Sequence, residues 1–191
     1  MFKLAVFASG KGSNFEAIVK YFHNNKNIVI SSLICDQPKA YAIEIAKKNN
    51  IETFVVECTK FKTKLEPEQE DRVVKYLISK NIDLVVLAGY MRIIKTPLLK
   101  AFAGRIINIH PSLLPSFKGL NAVQQALDYG VKITGCTVHY VDNEIDNGKI
   151  IDQKSVYIDH TDNVNSLHMK IHEQEHLLYP KTIESIALSK K

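Results

Sequence analysis

The sequence predicts a single-domain, Rossmann-like α/β fold: an open twisted sheet, mostly parallel, with an antiparallel C-terminal strand pair and helices on both faces. Three observations carry this. From residue 3 to about residue 109, short uninterrupted apolar runs alternate with segments of helical period, and strands apolar on both faces belong to parallel sheets buried between helices. Two later segments, 132–141 and 149–158, show more polar–apolar alternation, as strands of an antiparallel pair do. No linker, repeat or low-complexity stretch divides the 191 residues, a length that suits one well-buried domain.

Residues 3–8 (K-L-A-V-F-A) read as the first strand, broken by Ser9, Gly10, Gly12 and Ser13. A helix follows, because Phe15, Ile18, Val19 and Phe22 recur at helical spacing. Residues 28–35 read as a second strand, 39–49 as a second helix and 53–56 as a third strand. After a polar stretch containing Pro67, a helix is expected over 68–80, where Val73, Val74, Leu77 and Ile78 share a face. The apolar runs 83–88 and 105–109 are two more strands, separated by a short helix from about Pro97. A helix near 121–129, the strand pair and a closing helix over 163–187 complete the chain.

Composition narrows the function classes. Hydrophobic residues make up 46% and charged residues 24%, the balance of a soluble globular protein. The formal net charge of +5 suits anionic small molecules, although a solvated surface explains it equally well. Nucleic acid is not expected as a partner, since the lysines are spread and form no dense block. Cys35, Cys58 and Cys136 are odd in number and widely spaced, which favours reduced thiols over a disulfide framework. No apolar run reaches the length of a signal core or membrane span, so a cytoplasmic protein with no membrane partner is expected.

The segment A-S-G-K-G-S-N joins the first strand to the first helix. Glycines there let the backbone approach a ligand, and free N–H groups at a helix start suit a phosphate. An ordinary strand-to-helix turn, with Ser13 or Asn14 as N-cap, uses the same residues. A G-x-x-x-x-G-K-[ST] loop is absent. A dinucleotide fingerprint would need glycine where Phe15 stands, which also weakens Asp36 as a ribose ligand. A mononucleotide-type phosphate fits better.

The string H-E-Q-E-H at 172–176 satisfies H-E-x-x-H, and His168 extends it by a turn. Downstream only Glu184 remains as a further ligand, and no His or Cys follows. A solvated helix face with one member in a site is therefore expected, and no catalytic metal.

The stretch R-I-I-N-I-H-P-S-L-L-P-S-F-K-G at 105–119 is the most informative. Asn108 and His110 are two apart and project to one side as the strand emerges, at the carboxyl edge where ligand sites form in open sheets. An amide can stabilise an oxyanion while an imidazole moves protons near neutral pH. Asp146, in the turn D-N-E-I-D-N-G, is the carboxylate best placed to orient the imidazole. Alone, an Asn-x-His at a strand end is more often a turn-bonding device.

Taken together, V-F-A-S-G-K-G-S-N, D-L-V-V-L-A-G-Y-M-R-I, I-N-I-H-P-S-L-L-P, G-C-T-V-H-Y-V-D and Q-E-H-L-L-Y-P resemble the phosphoribosylglycinamide formyltransferase family over essentially the whole chain. The H-P-S-L-L-P loop is shared with the wider formyltransferase/hydrolase superfamily; the G-x-G-S-N start with Q-E-H-x-x-Y-P is narrower. The resemblance implies formyl transfer from 10-formyltetrahydrofolate, a co-substrate, to glycinamide ribonucleotide (GAR) in purine synthesis. It implies catalytic roles for Asn108, His110 and Asp146. It also implies GAR binding by Gly12, Ser13, Asn14, Lys64 and Glu175. The folate would lie against Met91, Arg92, Ile93 and Ile94, with Val141, Asp142 and Asn143 on a second loop. The N-terminal half would bind the ribonucleotide phosphate, and the C-terminal half would carry catalysis and folate binding.

Both partners implied are small molecules, and a monomer or homodimer is expected. Lys64 stands where the family often has Arg, Asn147 where it commonly has Gly, and Asn121 where it often has His. The alternative is a 10-formyltetrahydrofolate hydrolase, with water as acceptor. The start of the first strand at residue 3 favours the transferase, because such hydrolases usually carry an N-terminal regulatory domain. A non-catalytic nucleotide- or folate-binding module would not need the Asn-His-Asp set.

Overall fold

The computed structural model describes residues 1–58, 60–61 and 63–189. Thirteen elements follow in the order the sequence predicts: β1 (Phe2–Ala8), α1 (Ser13–Phe22), β2 (Ile28–Cys35), α2 (Tyr41–Lys48), β3 (Glu52–Val55), α3 (Pro67–Ser79), β4 (Leu84–Leu87), α4 (Thr96–Ala101), β5 (Ile106–His110), α5 (Ala122–Tyr129), β6 (Ile133–Tyr140), β7 (Ile150–Tyr157) and α6 (Val164–Ser189). The strand order is β3-β2-β1-β4-β5-β6-β7. Pairing is parallel for β1 with β2, β1 with β4 and β2 with β3, and antiparallel for β6 with β7. The residues form two compact units, Met1–Ile107 and Asn108–Lys191.

In the first unit, β1 runs through the core. Leu4, Ala5, Val6, Phe7 and Ala8 are all fully buried, as a strand covered on both faces must be. Helix α1 buries Phe15, Ile18, Val19 and Phe22, the stripe expected from their spacing. Pro67 opens α3 instead of preceding it; the fixed φ and missing N–H of proline suit the first helical turn. Gly12 caps α1 with φ 74°. A Cβ there would lie 2.9 Å from the Cβ of Ala42, so both backbone conformation and close packing require glycine. Ser13 and Asn14 lie inside the first turn, and the side-chain cap they could have supplied is not the one used.

In the second unit, α6 packs on the β6–β7 pair and on α5, and it buries Leu167, Ile171, Leu178, Tyr179 and Ile183. Cys136 is buried in β6; burial first, and then the Glu175 carboxylate, push its thiol up to about 12. Cys35 is likewise buried and free. Among the described residues no helix is long and apolar enough to cross a membrane.

Gly135 lies opposite Ser155 in the antiparallel pair. A Cβ at Gly135 would fall 1.9 Å from the Lys154 carbonyl oxygen and 2.9 Å from Leu113 Cδ2. Gly135→Ala is therefore expected to lower stability by about 1–3 kcal/mol, the usual range for overpacking. Chemical denaturation reads this directly, and an unchanged midpoint would contradict it.

The start of α6 is tied down by Asp162, which accepts hydrogen bonds from Lys170 Nζ, the Asp159 N–H and Ser166 Oγ. Lys170 first, then the Asp159 N–H and Ser166, lower the carboxyl from 3.8 to about 2. A depressed carboxyl stabilises the fold above its unfolded pKa and loses that contribution as pH falls through the folded one. The melting-temperature gap between the native chain and Asp162→Asn should thus be full at pH 5 and close towards pH 2. A gap independent of pH would count against this.

Candidate active site

Four polar side chains of the second unit meet where β5 ends. Asn108 and His110 leave the same side of β5, His139 comes from β6, and Asp146 from the turn between β6 and β7. Asp146 Oδ2 lies 3.2 Å from His110 Nδ1 and accepts the Gly119 N–H at 2.9 Å. Asp146 Oδ1 lies 3.5 Å from His139 Nε2. His110 is 4% exposed, so this contact is shielded from water and scarcely screened.

Burial is the largest single influence on Asp146 and opposes its ionisation. The hydrogen bond with His139, the charge of His110 and the Gly119 N–H together outweigh it and hold the carboxyl below its ordinary value. The group is thus an anion at neutral pH, able to orient and charge-compensate an imidazole.

His110 has acceptors at both ends of its ring: Asp146 on Nδ1 and the Phe117 carbonyl, 2.9 Å from Nε2. His139 donates Nδ1–H to the Tyr140 carbonyl at 2.8 Å. Its Nε2 lies 3.3 Å from Asn108 Nδ2 and can accept from that amide or, when protonated, donate to Asp146, but not both. His139 was not among the residues singled out from the sequence. The signal available was its place in T-V-H-Y, two residues from Thr137 and so on the same strand face.

The loop after β5 is held by its own polar groups. Thr137 Oγ1 donates to the Ser112 carbonyl at 2.6 Å and accepts from Leu114 N–H at 3.0 Å and Gln153 Nε2 at 2.9 Å. Lys118 Nζ hydrogen-bonds Asn147 Oδ1. In the 146–148 turn the left-handed residue is Asp146, with φ 49°, and not Asn147. Asn147 therefore need not supply the backbone freedom of the glycine that is more usual there. Asn121 does take a left-handed conformation, φ 57°, as the N-cap of α5, a geometry asparagine adopts at low cost.

The other residues singled out from the sequence divide by unit. In the first, Gly12, Ser13 and Asn14 form the start of α1. Lys64 Nζ sits 4.4 Å from the Phe61 ring centroid, and Lys64 forms a parallel bridge with Ile93. Along 91–94 exposure alternates: Met91 and Ile93 are exposed, Arg92 and Ile94 buried. The Arg92 side chain is committed elsewhere. Its Nε donates to Asp36 at 2.6 Å, and its Nη1 to the carbonyls of Phe61 and Lys64. What Arg92 can offer a ligand is thus its backbone. The same pair engages Oδ2 of Asp36, which is buried.

In the second unit, Val141 is half-buried, and Asp142 and Asn143 are exposed just after β6. Glu175 is buried on α6, with His172 Nε2 3.6 Å from its Oε2. The rings of His168, His172 and His176 follow one another along the helix, tilted by 49° and 35°, with 4.1 Å and 5.7 Å between successive centroids. Burial first, and then the two neighbouring imidazoles, push His172 down to about 4. Among the described residues no three His, Cys, Asp or Glu side chains converge on a metal position.

An amide, an imidazole hydrogen-bonded at one nitrogen and facing a carboxylate at the other, and that ionised carboxylate form one shielded cluster, and such groups can stabilise a tetrahedral oxyanion and move a proton. The sequence model for the family described as formyl transferase matches residues 2–183. The chain belongs to the formyl transferase family. This formyl transferase is 46% identical to the phosphoribosylglycinamide formyltransferase of Bacillus subtilis (strain 168), over 97% of this chain and 95% of that one. It superposes on the structure of phosphoribosylglycinamide formyltransferase from Anaplasma phagocytophilum with a TM-score of 0.91 at 43% identity, covering 99% of this chain and 88% of that one. With glycinamide ribonucleotide transformylase 1 from Symbiobacterium toebii the TM-score is 0.93 at 37% identity, covering 99% and 89%. The fold of this formyl transferase is thus that of its relatives, and its Asn108, His110, His139 and Asp146 side chains cluster at the end of β5.

Proposed function

We propose that the chain transfers a formyl group from 10-formyltetrahydrofolate to the amino group of GAR, in purine biosynthesis. The observation that carries this reading is the Asn108–His110–Asp146 cluster, with its carboxylate held ionised, in a chain similar over nearly its whole length to enzymes named for that reaction.

In the proposed reaction the GAR amine attacks the formyl carbon, and the carbonyl electron pair moves onto oxygen. Asn108 Nδ2–H and protonated His110 donate to that oxyanion, each such donor being worth about 10²–10³ in rate. Collapse of the intermediate re-forms the carbonyl and breaks the bond from carbon to N10 of the folate. The amine loses one proton and N10 gains one. Asp146 holds His110 and assists that transfer, directly or through a water. The protein need form no covalent intermediate.

The remaining roles rest on the family resemblance. Gly12, Ser13 and Asn14 would bind the GAR phosphate through the start of α1, with Lys64 adding a point charge in place of a bidentate fork. Glu175 would accept the ribose hydroxyls. The folate would be bound by the backbone and apolar side chains of 91–94 and by Val141, Asp142 and Asn143. We place these sites in one formyltransferase domain, phosphate binding in its N-terminal half and catalysis and folate binding in its C-terminal half.

The test is formyl transfer from 10-formyltetrahydrofolate to GAR, followed as released tetrahydrofolate, with a control lacking GAR. Turnover that needs GAR is expected. Equal turnover without it would mean that water is the acceptor and the reading is wrong.

A further inference from the structure

Asp146 leans on a backbone group as well as on the two imidazoles. Its Oδ2 accepts the Gly119 N–H at 2.9 Å, and that N–H shares one rigid peptide unit with the Lys118 carbonyl. The Lys118 carbonyl in turn accepts a hydrogen bond from Gln125 Nε2 at 3.0 Å. We propose that Gln125, on α5, is a positioning residue for the reaction: it fixes the Lys118–Gly119 peptide plane so that the N–H faces the Asp146 carboxylate. This rests on the reading of Asp146 as the group that holds His110.

The backbone by itself leaves that plane free to turn over. Gly119 has φ 78°, and glycine takes positive and negative φ about equally readily. A Cβ at position 119 would meet no heavy atom within 4 Å, so no close packing on that side holds the turn. Turned over, the peptide would present the Lys118 carbonyl oxygen to Asp146, an acceptor against an anion. A hydrogen bond at each end of the plane selects one of the two orientations. Hydrogen bonds that run through one peptide unit also strengthen each other.

Gln125 is placed to supply the second bond. Its backbone N–H donates to the Asn121 carbonyl at 2.9 Å, so the first turn of α5 fixes where the side chain starts. Its Nε2 donates to the carbonyls of Lys118 and Leu120, at 3.0 Å and 2.8 Å, the residues on either side of Gly119. Both partners are pure acceptors, so only the nitrogen of the amide fits there. A further tie holds the same segment to the turn that carries Asp146, because Lys118 Nζ donates to Asn147 Oδ1.

The titratable groups that face Asp146 are His110 from β5 and His139 from β6. Gln125 is neutral, and replacing it by methionine changes no charge around the carboxylate. The Gly119 N–H is one of the contacts that hold the Asp146 carboxyl below its ordinary value. Losing that N–H must therefore let the carboxyl titrate at higher pH.

The experiment compares the native chain with Gln125→Met, which keeps the length of the side chain and removes its donor. The kcat for GAR formylation is expected to fall about threefold to tenfold, the weight of one or two hydrogen bonds. KM for either substrate should stay within about twofold, and an NMR titration of the Asp146 carboxyl should move to higher pH. Melting curves should show the variant folded. If it is not, Gln125→Glu, which sets a carboxylate against the same two carbonyls, should slow turnover at least as much. An unchanged kcat, or an unchanged Asp146 titration, in a folded variant overturns the proposal. A rise in KM at constant kcat also overturns it, by placing Gln125 in substrate binding. Absence of GAR formylation by the native chain would instead overturn the proposed function, while the Asp146 titration still decides whether Gln125 sets the peptide plane.

Discussion

Asp146→Asn is expected to slow formyl transfer to GAR by about 10²–10⁴-fold, the range for losing a positioned acid–base partner, while leaving the chain folded. The backbone at Asp146 is left-handed, φ 49°, and asparagine tolerates that conformation as well as any residue but glycine. The amide oxygen can still accept the Gly119 N–H. What is lost is the negative charge 3.2 Å from His110 Nδ1, and with it the orientation and charge compensation of the imidazole. Steady-state rates beside a thermal melt separate these effects. A rate within tenfold of the native one would remove Asp146 from the mechanism. So would a large drop in melting temperature that accounted for the lost activity.

The second large effect is on stability. Arg92→Met should cost about 3–5 kcal/mol, the usual consequence of leaving one member of a buried ion pair alone. The side chains of Arg92 and Asp36 are only 5% and 2% exposed, and their atoms are 2.6 Å apart. Gln37 Nε2 also donates to Asp36 Oδ2, at 3.2 Å, but a neutral amide does not replace a guanidinium. Against a typical total of about 5–15 kcal/mol, such a loss removes a large share of the folding free energy. Adding Asp36→Leu should recover part of it, since no buried charge then remains. Recovery is incomplete because the carbonyls of Phe61 and Lys64 still lack their donor. Urea denaturation of the single and double variants tests this, and a double variant no more stable than the single would contradict it.

Much of the architecture was legible in the chain. Every strand and helix of the parallel region shows its period locally, and the boundaries differ from those expected by at most two residues. Asn108 and His110 could be paired from their spacing alone, because a strand puts alternate residues on one side. At 172–176 the structure has tilted histidine rings along the helix and one buried carboxylate. The helical spacing could be read; the burial of Glu175 could not.

What the sequence by itself determined is whatever depends on neighbours along the chain: the alternation of apolar strands and amphipathic helices, the glycine turn before α1, and the residue types at the end of β5. Only the tertiary structure decided which groups meet across long separations. Arg92 and Asp36 lie 56 positions apart, and Gly119 and Asp146 lie 27 apart. His139 reached the cluster by its place in β6, and the Phe117 carbonyl by a left-handed backbone turn, φ 57°. Local period reports which face of an element is apolar. It carries no information on which polar atoms the folded chain will bring within 3 Å, because that depends on burial and register set by the whole sheet.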